Sequence, residues 1–119
     1  MATETTQLAP LARIEPTPRT LGTQAQALLA ATLLAEAFPQ FAGAYLTFHP
    51  HFPNEVSVQA ASLAEVETWR EALGADPEAV RSQSIGRDVE LFFEVPKFGA
   101  LVRVYAIQQV AAQPEQVAA

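Results

Sequence analysis

The segment "HPHFPNE", residues 49–55, contains both histidines of the chain, His49 and His51, and ends on Glu55. Imidazole nitrogens and carboxylate oxygens bind Zn²⁺, and two histidines at i and i+2 of a strand share one face. A zinc site requires three or four ligands, and no motif such as HExxH supplies the others here. Because Pro50 and Pro53 restrict the chain, we predict a connection between two strands, with no metal and no cofactor. If a metal does bind, Glu55, His49 and His51 are the candidate ligands.

Two pairs of carboxylates have the spacing for acid–base chemistry. Glu67 and Glu71 are four residues apart on a predicted helix, where repulsion can shift a pKa. Glu90 and Glu94 share one face of a predicted strand, and Arg103 on the next strand is placed to pair with one of them. The sequence contains no GxSxG, P-loop or GxGxxG motif. We therefore predict a protein that is not an enzyme.

Composition excludes several classes of partner. The chain has 119 residues, enough for one domain, and a formal net charge of −6, which disfavours nucleic acid and anionic membranes. It has no cysteine, which fits a reducing cytosol. The N-terminus lacks a basic region followed by an apolar run, so no signal peptide is predicted. The longest apolar-rich segment is shorter than the ~20 residues of a membrane span. These features predict a soluble cytoplasmic protein.

The first half of the chain changes from irregular to helical and then to alternating patterns. Residues 1–19 contain three prolines without periodicity, which predicts a flexible arm. A helix is expected from about Thr20 to Pro39, with an apolar face of Leu28, Leu29, Ala31, Leu33 and Ala35 and an Ala-rich flank suited to close approach. Period-two alternation then predicts strands over "AYLTFH" and "EVSVQA", connected by "HPHFPN".

The second half begins with a capping box, "SLAE", in which Ser62 caps a helix and Glu65 reaches back to the N-cap amide. Val66, Trp69 and Leu73 are its predicted buried stripe, and Gly74 its left-handed end. "DPEAV" predicts a short extra turn. Strands follow at about 80–85, 88–95 and 100–107, the last two linked by "PKFG", and residues 109–119 are predicted to be a frayed tail.

The predicted order is α-β-β-α-β-β-β in a single α+β domain, residues 20–108, with both helices on one face of a mostly antiparallel sheet. The strand residues expected to point at the helices are Val89, Leu91, Phe93, Val95, Val102, Val104 and Ala106. The opposite face then carries Tyr45, Phe92, Arg103 and Tyr105, which are our candidate binding residues. Such a face can be a protein interface, often a symmetric dimer, an ordinary solvated surface, or a ligand platform.

The stretch "SLAEVETWREALG", with the strands around it, resembles one βαβββ module of the glyoxalase/bleomycin-resistance superfamily over residues 55–107. In that superfamily a His or Glu near the start of the first strand binds metal, and Glu55 occupies the matching position. The resemblance implies a ligand-binding or metal-dependent domain completed by a second chain. This is the alternative to our main interpretation.

A second resemblance is carried by "FPNEVSVQ" followed by "EVETWREALG". It is to a group of small Ala-rich proteins of high-GC Gram-positive bacteria with no known activity, and it therefore implies none. The main interpretation is a small acidic protein-interaction or regulatory module. We expect it to form a homodimer through its sheet or its Ala-rich helix, and to suit a basic surface on a protein partner.

Overall fold

The computed structural model describes residues 19–109. It contains helices α1 (Ala25–Ala37) and α2 (Leu63–Leu73) and five strands, β1 (Tyr45–His49), β2 (Phe52–Gln59), β3 (Arg81–Ile85), β4 (Asp88–Lys97) and β5 (Ala100–Gln108). Short 3₁₀ turns at Leu21–Gln24 and Pro77–Ala79 precede α1 and β3. The predicted α+β fold and element order are confirmed. The predicted arm and tail, 1–19 and 109–119, lie outside the described residues except for Arg19 and Gln109.

The five strands form one sheet in the order β1-β2-β5-β4-β3. Neighbouring strands are antiparallel except β2 and β5, which run parallel. After β2, helix α2 crosses the sheet and leads the chain to β3 at the opposite edge. The antiparallel strands β3, β4 and β5 then return towards β2, so that β5 pairs with β2 in parallel orientation. β1 and β3 are the two edges.

Both helices pack on one face of the sheet, around a core of β-strand valines, Phe93 and Trp69. Phe93, Val102, Val104 and Ala106 are buried there as predicted, and Val95 packs against them. Val89 and Leu91, on the same face, are only half-buried. They pair with β3, a strand whose five residues are all exposed.

The buried face of α1 differs from the prediction. Its buried residues are Ala27, Ala30, Ala31 and Leu34, whereas Leu29 is 50% exposed and Leu28 is also exposed. Of the predicted face only Ala31 is buried, so the prediction of a buried leucine face was wrong. Small side chains allow the helix axis to approach β2 closely, so the Ala-rich flank packs inside the protein and is not free to receive a second chain.

The connection between β1 and β2 is shorter than predicted. Only Pro50 and His51 lie between the strands, and Phe52–Asn54 already belong to β2. The register slips there, because Phe48 pairs with Val56 while His49 pairs with Phe52. The irregularity accommodates Pro53, which cannot donate to a regular ladder.

The capping signals of α2 are confirmed. The Ser62 hydroxyl accepts from the Glu65 amide at 3.2 Å, and Gly74 ends the helix with φ 74°. The Glu65 carboxylate accepts from the amide of Ala61 at 3.0 Å, one residue before the expected donor. Asp76 caps the following 3₁₀ turn as predicted.

The β4–β5 hairpin turns at Phe98 and Gly99 alone, with φ values of 54° and 81°. Two positive φ angles are typical of a type I′ turn, which normally excludes a bulky residue. Gln26 of α1 donates to the Phe98 carbonyl at 3.1 Å, and Asn54 donates to the Gly99 carbonyl at 3.2 Å. The Phe98 ring packs against the core, so tertiary contacts hold this conformation.

Candidate functional site

The face of the sheet opposite the helices, here called the outer sheet face, carries the candidate binding residues. Neither of the two described helices covers it, because both pack on the other side. Cross-strand pairing aligns one row over all five strands: Tyr45, Gln59, Tyr105, Phe92 and Arg81. Three of the four predicted residues, Phe92, Arg103 and Tyr105, lie together at its centre, and Tyr45 lies at the β1 edge.

An ion pair organises the centre of the outer sheet face. The Arg103 guanidinium donates to both carboxylate oxygens of Glu90, from Nη2 to Oε1 at 2.8 Å and from Nη1 to Oε2 at 3.1 Å. Gln83 of β3 donates to Glu90 Oε1 at 2.6 Å. Arg103 Nε lies 3.7 Å from Glu94, so it also contacts the second predicted partner. Glu90 is only 4% exposed, although it points away from the helices.

Burial and charge have opposite effects on the pKa values of this pair. Burial alone would raise the pKa of Glu90, but hydrogen bonds from Arg103 and Gln83 and the charge of Arg103 bring it below its ordinary value. Burial alone would lower the pKa of Arg103, and the bonds and charge of Glu90, with the charges of Glu94 and Glu55, raise it instead. Both groups are therefore ionised at neutral pH.

The same arginine fixes the aromatic side chains. Its guanidinium carbon lies 4.6 Å from the centre of the Phe92 ring and 5.2 Å from that of Tyr105. Arg81 lies 5.0 Å from the Phe92 ring, and the Tyr105 hydroxyl donates to Gln59 at 3.3 Å. Each contact of a guanidinium with a ring contributes about 0.5–1 kcal/mol at an exposed site. The result is a cluster of aromatic and arginine side chains joined by direct contacts.

Sequence reasoning missed Arg81 and Gln83. Both lie on β3, which was predicted as a strand without assigning its faces. The signal was present, because a two-residue "GR" turn places Gln83 opposite Glu90 and Arg81 opposite Phe92.

The histidines and Glu55 do not form a common site. His49 Nδ1 accepts the backbone N–H of His51 at 3.0 Å, which uses one of its two ring nitrogens. Glu55, at the start of the regular part of β2, accepts from the Ser57 hydroxyl at 3.4 Å. Among residues 19–109, no three His, Asp or Glu side chains are grouped so that they could hold a metal ion.

An apolar groove lies on the helix side, between the second half of α1 and β1. Its volume is about 180 Å³, and Trp69 of α2 contributes to its wall. Phe38 and Phe41 stack at 5.0 Å between ring centres, and both meet the Trp69 ring edge-on. Its further lining residues are Ala31, Leu34, Ala35, Pro39, Ala42, Gly43, Ala44 and Leu46.

Comparison with known proteins found no match of this chain to a protein-family model, a curated protein or a solved structure. Within the described part of the chain, no helix is long and apolar enough to cross a membrane.

Proposed function

We propose that this protein is a small, non-enzymatic interaction module of the cytoplasm that forms a homodimer through its outer sheet face. The observation that carries the proposal is the cluster of Phe92, Arg103 and Tyr105 at the centre of a face that neither described helix covers. Tyrosine and arginine are enriched among the residues that dominate binding energy at interfaces. Because these side chains are already held by hydrogen bonds and ring contacts, little conformational entropy remains to be lost on association.

The charges of the outer sheet face favour a second copy as the partner. Arg81 and Arg103 lie beside Glu90 and Glu94, and the charge of Glu55 also acts on Arg103, so both signs occur on one small surface despite the net charge of −6. A twofold axis presents the same patch on both partners and lets opposite charges meet. Two such sheets can pack face to face at about −30° between strand directions.

The chemistry of the ion pair supports a binding role over acid–base catalysis. A general acid or base needs a pKa near the working pH. Glu90 has a lowered pKa and Arg103 a raised one, so neither exchanges a proton readily at neutral pH.

The test is the monomer–dimer equilibrium, measured by sedimentation or light scattering up to high micromolar concentration. Tyr105→Ala should weaken association about tenfold or more, as expected for a central interface residue. Leu28→Ala, which removes an exposed apolar side chain from α1, is the matched control and should leave the equilibrium unchanged.

A monomer at high micromolar concentration would overturn the proposal. So would a loss of association in Leu28→Ala that Tyr105→Ala does not share, because that result assigns the contact to α1.

A further inference from the structure

The two edges of the sheet differ in a way that bears on binding. Edge strands expose unpaired backbone N–H and C=O groups, and proteins usually guard them with charges, prolines or bulges. The β3 edge, "RSQSI", has Arg81 and a polar sequence. The β1 edge, "YLTFH", has no lysine, arginine, carboxylate or proline within it, and its register irregularity, between Phe48 and His49, leaves Tyr45 to Phe48 as regular strand. Within residues 19–109, β1 pairs only with β2, so one side of it is open to another strand.

The apolar groove lies directly beside this edge. Leu46 of β1 points to the helix side, lines the groove and is 41% exposed, so apolar surface there remains in contact with water. The groove, at about 180 Å³, is smaller than the roughly 300–1,000 Å³ of sites for small molecules. Its size and its aromatic wall suit one apolar side chain of an added strand.

The charges near the groove are acidic and have no basic partner among the described residues. Glu36 directly follows Ala35 of the groove, and Glu65 lines the adjoining cavity with Phe41 and Trp69. Neither carboxylate forms an ion pair within residues 19–109. The one cation between residues 36 and 80 is Arg70, which already binds Glu67 and the Ala75 carbonyl.

We propose that β1 binds an extended, basic segment of a partner protein, which adds a sixth strand to the sheet. Backbone hydrogen bonds to β1 supply affinity, and an apolar side chain enters the groove. Lysine or arginine side chains two positions before and after it face the helix side of the sheet, the side on which Glu36 and Glu65 lie. The β1 of a second copy has no basic side chain, so it cannot neutralise these carboxylates. This proposal concerns another surface and another partner than the outer sheet face.

Trp69 is the only tryptophan of the chain and lines the groove, so its fluorescence reports occupancy directly. The probe is a short synthetic peptide of threonines in which lysine, valine and lysine occupy alternate positions. We expect a saturable change in Trp69 emission with wild-type protein. Replacing both lysines by glutamate should weaken binding about tenfold or more, since two surface ion pairs are lost. Methylating the backbone nitrogens of the peptide should abolish binding, because it removes the donors of the ladder.

Two protein variants complete the test. Leu46→Lys puts a charge on the edge and should abolish the response, with the fold checked by circular dichroism. Glu65→Gln keeps an oxygen that can accept from the Ala61 amide, so it preserves the cap of α2. It should weaken peptide binding and make the remaining affinity less dependent on salt concentration.

Several results would overturn the proposal: no change in emission together with no heat of binding, equal binding of the glutamate or methylated peptide, or full binding to Leu46→Lys. If Leu46→Lys abolishes self-association while Tyr105→Ala does not, a second copy occupies β1, and both proposals fail. If Tyr105→Ala alone abolishes self-association and peptide binding persists, both stand.

Discussion

Arg103 and Glu90 offer the sharpest test of the structure, because their burial differs. The Glu90 side chain is 6% exposed, whereas the Arg103 side chain is 18% exposed and also lies 3.7 Å from Glu94. Removing the charge of Arg103 therefore leaves a buried carboxylate without its cation, whereas removing the charge of Glu90 leaves a partly exposed guanidinium that still contacts Glu94. The two substitutions should not cost the same free energy of unfolding.

Arg103→Met keeps most of the side-chain length and removes the charge. The Glu90 carboxylate then retains only its bond from Gln83 at 2.6 Å, and we expect a loss of about 3–5 kcal/mol, typical of a broken buried ion pair. Glu90→Gln leaves Arg103 with Glu94 and some water, and should cost about 1–2 kcal/mol. The double variant buries no unpaired charge, so it should be more stable than Arg103→Met alone, with a coupling energy of about 2–3 kcal/mol.

The effect of pH has a definite sign. In the wild type the pKa of Glu90 is lowered below its ordinary value, so its ion pair contributes full stability above that ordinary value and loses it as the pH falls through the lowered pKa. In Arg103→Met, burial without a cation should raise the pKa of Glu90. The free-energy cost of burying the unpaired Glu90 charge is then present at neutral pH. It disappears as the pH falls through the raised pKa, because the carboxyl group becomes neutral. The stability difference between the two proteins should therefore shrink as the pH falls through the raised pKa of Glu90 in the variant.

Urea unfolding followed by Trp69 fluorescence measures these differences. It should be performed at two protein concentrations, so that any contribution from association is visible. Arg87→Met, in the exposed β3–β4 turn, is the matched control and should change stability by less than about 0.5 kcal/mol. The reasoning is refuted if Arg103→Met costs less than Glu90→Gln, or if its cost is the same at neutral and acid pH.

Two further predictions concern the backbone and the helix packing, and both are measured by the same unfolding assay. Leu29→Ala should lower the free energy of unfolding by less than about 1 kcal/mol, because Leu29 is half-exposed. Ala30→Leu should lower it by about 1–3 kcal/mol, because the larger side chain overpacks a site that is 0% exposed. A larger loss in Leu29→Ala than in Ala30→Leu would indicate that the leucines form the buried face of α1. Gly99→Ala should cost about 1–3 kcal/mol, because φ is 81° and the new Cβ would lie 2.5 Å from Nε2 of Gln26. Gly43→Ala meets no atom within 4 Å and should be nearly neutral, so equal effects of the two glycine substitutions would contradict the assigned turn.

The elements with strong local signals could be predicted from the sequence. The Ser62 cap and Gly74 are fixed by short-range hydrogen bonding and backbone conformation, and α2 has both features as expected. Alternation along β4 and β5 also predicted correctly that Arg103 lies near Glu90 and Glu94, because a strand has only two faces and these residues share one of them.

Features that depend on tertiary distance could not be predicted. Alanine and leucine are both apolar, so the α1 sequence has two possible buried faces, and the close approach to β2 selects the alanines. The left-handed conformation of Phe98 depends on Gln26 and on packing against the core, which no local pattern encodes. The parallel contact of β2 with β5 likewise follows from the path of the whole chain.

The Glu90–Arg103 pair is difficult to explain by stability alone. Replacing a buried ion pair with apolar side chains is often neutral or stabilising, and a solvent-facing sheet surface can be built from ordinary polar residues. The pair has another consequence, since the Arg103 guanidinium lies over the rings of both Phe92 and Tyr105 and contacts each of them. If association is its purpose, the double variant of Glu90→Gln and Arg103→Met should recover most of the stability lost in Arg103→Met and still fail to dimerise. A double variant that dimerises like the wild type would show that the ordered cluster is unnecessary for binding.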